Sequence, residues 1–155
     1  DVERQWSKSL KTIFLFSRQE MNPSKGFQQL LYKSDIFVAD VTWKFHRNMS
    51  LRAELQYLLC ENSEDEWMDG HCEGDWVAAL VEFSVAPRWS VYVSDMYNIG
   101  MTKVHYYDGG VSYSKGRTRV QLSYGRHRAG YVCSGGVCRY SPAYTGVNLL
   151  LTTAF

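Results

Sequence analysis

The sequence predicts an all-β fold, a transmembrane antiparallel up-and-down β-barrel with about eight strands in this chain. Two observations lead to this prediction. Apolar and polar residues alternate in eight separate stretches, as the two-residue side-chain period of a strand requires. The connections between the stretches alternate between short turns and long loops, which is typical of barrels that cross a membrane. The 155 residues are expected to form one domain, 1–155.

Each of the eight candidate strands carries its own alternation. In the third of them the apolar residues Leu51, Leu55 and Leu59 fall on one face. Arg52 and Glu54 fall on the other, because neighbouring side chains of a strand point in opposite directions. The first, fifth and sixth candidates are less regular. In chain order the candidates are Leu10–Phe16, Asp35–Phe45, Ser50–Leu59, Trp76–Val85, Val91–Tyr97, Val104–Tyr113, Thr118–Tyr124 and Thr145–Phe155.

The connections between the candidate strands fall into two classes. Tight turns follow the second, fourth and sixth strands, at His46–Met49, Pro87–Trp89 and Ser114–Gly116. Long segments follow the others, at Met21–Ser34, Glu61–Asp75, Asn98–Lys103 and Arg126–Ala143. By strand parity all the tight turns lie at one end of the sheet and all the long loops lie at the other.

The beginning of the chain looks like a further tight turn. Arg4-Gln5-Trp6-Ser7 precedes the first strand much as Arg47–Ser50 precedes the third. A turn joins two strands, so Val2 and Glu3 are expected to end a strand whose remainder is absent, and the chain to be the C-terminal part of a larger barrel. The alternative is a complete eight-stranded barrel. Its interior would be filled by side chains, whereas a larger barrel could hold a channel or a plug.

Composition gives few further bounds on function. The net charge of +1 gives no reason to expect a nucleic-acid partner. The mean hydropathy of -0.32 resembles that of a soluble protein. A membrane barrel can have the same value, because half of the side chains of each strand face a polar lumen and lower the mean hydropathy. No apolar run approaches the roughly 18 residues that a spanning helix needs. No basic-then-apolar leader follows Asp1, so any signal peptide is expected to be removed or to lie outside this sequence.

Charged and aromatic residues favour a barrel with a polar interior. Six charged residues point away from the apolar stripe in mid-strand and are expected to face the lumen: Asp40, Lys44, Arg52, Glu54, Glu82 and Arg119. Aromatic residues collect near both ends of the strands, as in membrane interfaces. Those near the tight turns are Trp6, Trp43 and Trp89, and those near the long loops are Trp67, Tyr97, Tyr106, Tyr107, Tyr131, Tyr140 and Tyr144. A soluble barrel remains the alternative, with its aromatic residues in an apolar interior.

The last strand resembles a known family signal. Val147, Leu149, Leu151, Thr153 and Phe155 fall on one face, as in the C-terminal strand of Gram-negative outer-membrane β-barrels, where the terminal Phe is an assembly signal. Thr153 departs from the pattern, since an apolar or aromatic residue is commoner there. The frequent aromatic residues and tight turns of residues 4 to 155 are similar to those of large barrels of Bacteroidota outer membranes, including families with no assigned activity.

The resemblance implies a location and partners but no catalytic residues. It implies the cell outer membrane, with the tight turns and Phe155 on the periplasmic side and the long loops outside the cell. The expected partners are outer-membrane lipid and lipopolysaccharide, the barrel-assembly machinery, and other outer-membrane proteins.

Four cysteines lie on the long-loop side. Cys60 and Cys72 bracket one loop, and Cys133 and Cys138 bracket the tip of another. An even count in exposed loops predicts two disulfides in an oxidising compartment. Three pairings are possible, and we expect 60 with 72 and 133 with 138 because each pair belongs to one loop. A metal site with His71 is the competing interpretation, although no C-x-x-C spacing supports it.

Two of the long loops have opposite charge. The loop Glu61–Asp75 holds seven acidic residues and no Lys or Arg. A solvated surface loop is the simpler interpretation, because the spacing matches no EF-hand; if Ca²⁺ binds, Glu64, Asp65, Asp69 and Asp75 are the candidate ligands. No other cofactor is expected. The last long loop carries Arg126, His127, Arg128 and Arg139 and no acid, which would suit lipopolysaccharide phosphates.

The sequence predicts no enzyme. Of the four histidines only His105 sits at a strand end, and Asp108 and Ser112 are expected on nearby faces of the same strand. The contact between base and nucleophile that catalysis needs cannot be inferred from this spacing. Two functions are therefore carried forward. The first is a non-enzymatic outer-membrane β-barrel that acts as a pore, a transport component or a scaffold in a surface assembly. The second is a soluble or secreted lipocalin-like β-barrel that binds a small apolar ligand in its interior.

Overall fold

The computed structural model describes residues 1–21, 32–61, 74–100, 102–134 and 137–154. This part of the chain contains eleven strands and no helix, and therefore no helix that could span a membrane. The strands are β1 (Val2–Gln5), β2 (Leu10–Met21), β3 (Tyr32–His46), β4 (Met49–Glu61), β5 (Trp76–Val85), β6 (Trp89–Asn98), β7 (His105–Lys115), β8 (Thr118–His127), β9 (Gly130–Ser134), β10 (Val137–Ser141) and β11 (Tyr144–Thr153).

Nine of these strands form a single antiparallel sheet. Its order is β1-β2-β3-β4-β5-β6-β7-β8-β11, so neighbours in the sheet follow each other along the chain. The remaining two strands, β9 and β10, pair only with each other. The predicted all-β, up-and-down arrangement is therefore confirmed. The predicted closure into a barrel is not present among the described residues, because β1 and β11 are the two edges of an open sheet.

The sequence located the eight candidate strands, although the strands are mostly longer than predicted. β1 pairs with β2, with Val2 opposite Phe14, so the predicted junction between two strands is present. The turn is at Trp6–Ser9, two residues later than the predicted Arg4–Ser7, because Arg4 and Gln5 belong to β1. The long loop predicted over Arg126–Ala143 differs from the structure in two respects. β8 continues to His127, and β9 and β10 form a hairpin inside the segment. Strands of five residues show too few alternations to stand out in a sequence.

The sheet has one apolar face and one polar face. The register places Leu122, Leu149 and Val111 side by side, whereas the next residue of β8, Gln121, shares the other face with Ser112 and Leu150. We call the face of Leu122 the apolar face and the face of Gln121 the polar face. No hydrophobic side chain is buried in the described part of the chain. The apolar face is therefore exposed, the reverse of a soluble sheet, which packs that face on a core.

The polar face is the concave one. The four buried polar residues of the described part, Asp40, Asn98, Ser112 and Ser123, all lie on it. Gly110 of β7 allows Tyr92 and the backbone of β8 to approach β7 closely on this face. A Cβ at this position would lie 2.7 Å from Cε1 of Tyr92 and 2.9 Å from the carbonyl oxygen of Leu122. The ring of Tyr92, from β6, thus lies across the backbone of β7. This curvature brings polar side chains of strands that are not adjacent into contact.

Candidate functional site

The apolar face carries a band free of formal charge across β2–β8 and β11. On β5 it takes in every second residue from Val77 to Val85, and on β8 from Thr118 to Tyr124. Eight steps of strand span about 27 Å, or about 21 Å once tilted by about 40°, near the height of a membrane barrel's apolar zone. The large exposed side chains of this band include Phe14, Phe37, Leu55, Val81, Val93, Leu122, Val147, Leu149 and Leu151.

Charged side chains appear on the apolar face only at its margins. At the long-loop end, Arg18 Nε lies 3.7 Å from Asp35 Oδ1. At the same end, His105 Nδ1 lies 2.7 Å from Asp95 Oδ2. At the short-turn end, the guanidinium of Arg4 stacks on Trp6 with 3.9 Å between its Cζ and the ring centroid. Each of these three charged side chains has a partner close by.

Aromatic side chains mark the two margins of the band. At the short-turn end the ring centroids of Trp89 and Tyr113 are 4.7 Å apart, and Trp43 packs against Phe45 at 5.5 Å. At the long-loop end Tyr107 and Tyr124 are 6.4 Å apart. Trp43, Trp89 and Tyr107 belong to the two predicted aromatic groups. Tyr106 and Tyr144 were predicted with them but lie on the polar face, in register with Met96 and His127. Trp67, Tyr131 and their surroundings lie outside the described side chains.

The polar face carries an ion network on β3 and β4. Arg52 Nε donates a hydrogen bond of 2.6 Å to Asp40 Oδ2, and the same guanidinium pairs with Glu54. Glu54 also accepts a hydrogen bond from Gln56, and Asp40 accepts one of 3.3 Å from Thr42. The side chain of Asp40 is only 10% exposed. Its carboxylate therefore depends on Arg52 for compensation, since a buried charge without a partner is costly.

A second network crosses β5 to β8. Glu82 accepts hydrogen bonds from Ser84 at 3.2 Å and from Ser90 at 3.1 Å. Ser112 connects Ser90 to Arg119, with donor–acceptor distances of 3.4 Å and 3.3 Å. Four strands are linked in this way by side chains alone. The polar lining is therefore a connected network and not a row of independent groups.

Tyr92 extends this network towards the long-loop end. Its hydroxyl donates to Asp108 Oδ2 at 2.6 Å and lies 3.5 Å from Gln121 Nε2, which belongs to β8. Contact between β6 and β8 is possible because Gly110, between them on β7, has no side chain. On the far side of Asp108, its Oδ1 lies 3.7 Å from His127 Nε2.

The long-loop half of the polar face contains a cleft of ≈ 350 Å³. Its walls include Glu54 of β4, Asp108 of β7 and His127 of β8, so it spans five strands. Arg128 crosses above it, with its Cζ 5.0 Å from the centroid of the Trp76 ring. The cleft combines carboxylates with basic groups and is lined on its floor by Leu80 and other small or apolar side chains.

The predicted lumen residues lie as follows. Asp40, Arg52, Glu54, Glu82 and Arg119 share the polar face by register. Lys44 lies where the register between β3 and β4 shifts, and its backbone N donates to Ser9 O. The sequence did not identify Tyr92, Ser112 or Asp108 as members of the lining. Tyr92 is two residues from Ser90 and Ser94, and Ser112 is two residues from Ser114, so their spacing could have indicated a shared polar face.

His105, Asp108 and Ser112 do not form a catalytic group. His105 faces the apolar side with Asp95, whereas Asp108 and Ser112 belong to the polar face. The expectation that they share nearby faces was wrong, because His105 is an odd number of residues from Asp108 and strand faces alternate. No group of three or more His, Cys, Asp or Glu suited to a metal ion occurs among the described residues.

The remaining predicted residues belong to the loops and the terminus. Glu64, Asp65, Asp69, Cys72 and Phe155 lie outside the described residues. Asp75 Oδ1 accepts a hydrogen bond of 3.1 Å from the backbone N of Cys60. Cys133 and Cys138 are directly opposite each other in the β9–β10 register. Opposed residues of an antiparallel pair have the Cα separation that a disulfide requires.

Comparison with known proteins gives a family but no activity. A family model described as "Family of unknown function (DUF6029)" matches residues 1–155. No match was found among curated proteins or among solved structures. The fold and the two faces are therefore the basis for any functional conclusion.

Proposed function

The chain belongs to DUF6029, a family of unknown function, and from its geometry we propose that it forms the wall of a non-enzymatic outer-membrane β-barrel. In this proposal the apolar face contacts lipid and the polar face lines the interior. The barrel acts as a pore, a transport component or a scaffold in a surface assembly.

One observation carries the proposal: the apolar side chains of nine strands are exposed while none is buried in the described residues. A continuous apolar surface of this extent would be unfavourable in water, because soluble monomers rarely expose patches beyond a few hundred Å². In a bilayer the same surface is favourable, and only a barrel can present it there with every backbone group bonded.

The soluble, lipocalin-like alternative fits this geometry less well. A lipocalin binds its ligand in an apolar interior, whereas the concave face of this sheet carries Asp40, Arg52, Glu82 and Arg119. Turning the sheet inside out would bury these charges and break the two networks. The direction of curvature therefore supports a polar interior.

The ends of the sheet support an orientation. Membrane barrels of bacteria have short turns in the periplasm and longer loops outside the cell. The β3–β4 and β7–β8 connections are two-residue turns, so we assign that end to the periplasm. The opposite end would then meet lipopolysaccharide, and Arg126 and Arg128 lie there.

The connected lining also bears on what the interior does. Arg52, Glu54 and Arg119 are hydrogen-bonded to neighbours on the wall. A wetted, charged interior of this kind suits a channel or a transport component more directly than a packed plug does. A scaffold role would instead place the function in the extracellular loops.

The proposal is tested by extraction of the protein from bacterial membranes. We expect recovery in the outer-membrane fraction, solubilisation only with detergent, and slower migration on a gel after boiling than before it, as a folded barrel shows. Recovery of a monodisperse protein without detergent would contradict the proposal and favour the soluble alternative. Conductance of the purified protein in a planar bilayer then separates a pore from a scaffold.

A further inference from the structure

The two edges of the sheet run in the same direction. β11 runs from the long-loop end at Tyr144 to the short-turn end at Thr153. Nine strands with antiparallel neighbours give the first and the ninth the same direction, so β1 also runs from the long-loop end to the short-turn end. Pairing of β11 with β1 would therefore be parallel. Single-chain bacterial barrels are antiparallel with an even number of strands.

A second copy of the chain does not remove this difficulty. Two copies inserted in the same orientation present only β1 and β11 edges, and all of these run in one direction. Every contact between copies would again be parallel. The edge of β11 is nevertheless unsuited to remain unpaired, because a strand edge in lipid leaves backbone N–H and C=O groups unsatisfied.

From this we propose that β11 pairs with a transmembrane strand that is not among the nine, runs from the short-turn end to the long-loop end, and belongs to the same barrel. The inference rests on the proposed function. Antiparallel closure then requires an odd number of strands in addition to the nine, and thus a barrel of at least ten strands.

The side chains of β11 indicate what its partner contributes. Leu149 is 72% exposed, against 47% for Leu122, which is opposite it on β8 and has neighbours on both sides. The missing neighbour is therefore expected to carry an apolar side chain that points outward beside Leu149. On the polar face Leu150 is 55% exposed, so the partner is expected to place an apolar or small side chain beside it, in contrast to the polar groups beside Asn148.

Cysteine cross-linking in the intact protein, in its membrane, tests this pairing. Pairs combine Glu3→Cys or Gln5→Cys on β1 with Asn148→Cys, Leu150→Cys or Thr152→Cys on β11, which covers the possible registers on the polar face. The reagent is a short thiol-bridging compound, and the same protein without the added cysteines is the background. Gln121→Cys with Leu150→Cys is the positive control, since these residues are directly opposite each other.

We expect the control pair to cross-link and every β1–β11 pair to remain at background. Hydrogen exchange is measured on the same protein, and we expect the β11 amides that point away from β8 to exchange as slowly as those that point towards it. A cross-link between β1 and β11, within one chain or between copies, would overturn the inference. Rapid exchange of the outer β11 amides would also overturn it. Detergent-dependent extraction tests the proposed function separately, so the two failures are distinguishable.

Discussion

Leu122 and Gln121 are consecutive residues of β8, and their side chains meet opposite environments. Leu122 is exposed on the apolar face beside Leu149 and Val111. Gln121 lies on the polar face, where its amide contacts Tyr92 Oη and accepts a hydrogen bond from Arg119. In the proposed barrel, two consecutive residues would thus face lipid and the polar interior.

Substitution of these two residues by arginine tests which face meets lipid. Leu122 lies in the middle of the charge-free band, so we expect Leu122→Arg to cost roughly 2–4 kcal/mol of barrel stability if it is near the bilayer midplane. We expect less folded protein in the membrane, measured by the heat-modifiable gel shift. Gln121→Arg introduces the same side chain towards the interior and is expected to be tolerated. Equal tolerance at both positions would count against lipid contact at Leu122.

Gly110 provides a second test, this time of the curvature of the wall. A Cβ at Gly110 would lie 2.9 Å from the carbonyl oxygen of Leu122, which is backbone and cannot move aside freely. We expect Gly110→Ala to destabilise the folded protein by about 1–3 kcal/mol, as overpacking does elsewhere. The measurement is the denaturant midpoint of the protein in detergent.

The neighbouring glycine is a matched control for this substitution. The nearest atom to a Cβ at Gly109 is Tyr92 O at 3.5 Å, which is an ordinary contact. Gly109→Ala is therefore expected to be close to neutral. If the two alanine variants had the same denaturant midpoint, close packing of Tyr92 over β7 would not be a structural requirement.

The ion pair of Asp40 and Arg52 is expected to respond unequally to removal of its two members. The Asp40 side chain is 10% exposed and that of Arg52 is 45% exposed. Arg52→Met leaves a largely buried carboxylate without its main partner, whereas Asp40→Asn leaves a guanidinium that still reaches water and Glu54. We expect Arg52→Met to lower the free energy of unfolding by about 1–3 kcal/mol. This is below the full cost of breaking a buried ion pair, because the Arg52 side of the pair is exposed to water.

The same denaturant titration checks this order. Asp40→Asn is expected to cost less than Arg52→Met, and the double variant is expected to cost less than the sum of the two. Purely additive costs would mean that the two side chains do not interact in solution.

Much of this architecture could be predicted from sequence because the period of a strand is local information. Alternation along Ser50–Leu59 is sufficient to place Arg52 and Glu54 on one face. Strand parity then orders the turns and loops, and it correctly identified the Trp6 turn as a junction between two strands. Each of these steps needs only the nearest residues along the chain.

The rest depends on contacts between strands that are distant in sequence. Tyr92 reaches Gln121 only because Gly110 lies between them, and nothing in the spacing of these three residues indicates that the sheet bends towards them. Likewise the direction of curvature, which makes the polar face the concave one, is a property of the whole sheet. His105 was placed with Asp108 by proximity in sequence, although the pleat separates them.

The β9–β10 hairpin gives a last test, on the loop side. Cys133 and Cys138 are opposite each other in its register, so we expect a disulfide between them in protein isolated from an oxidising compartment. Peptide mapping without reduction should find this pair joined, and Cys60 joined to Cys72. Cys133→Ser should increase proteolysis within the hairpin and leave the denaturant midpoint of the nine-stranded sheet almost unchanged, because so short a loop gains little from a cross-link. Mapping that joins Cys60 to Cys133 or Cys138 would contradict the expected pairing.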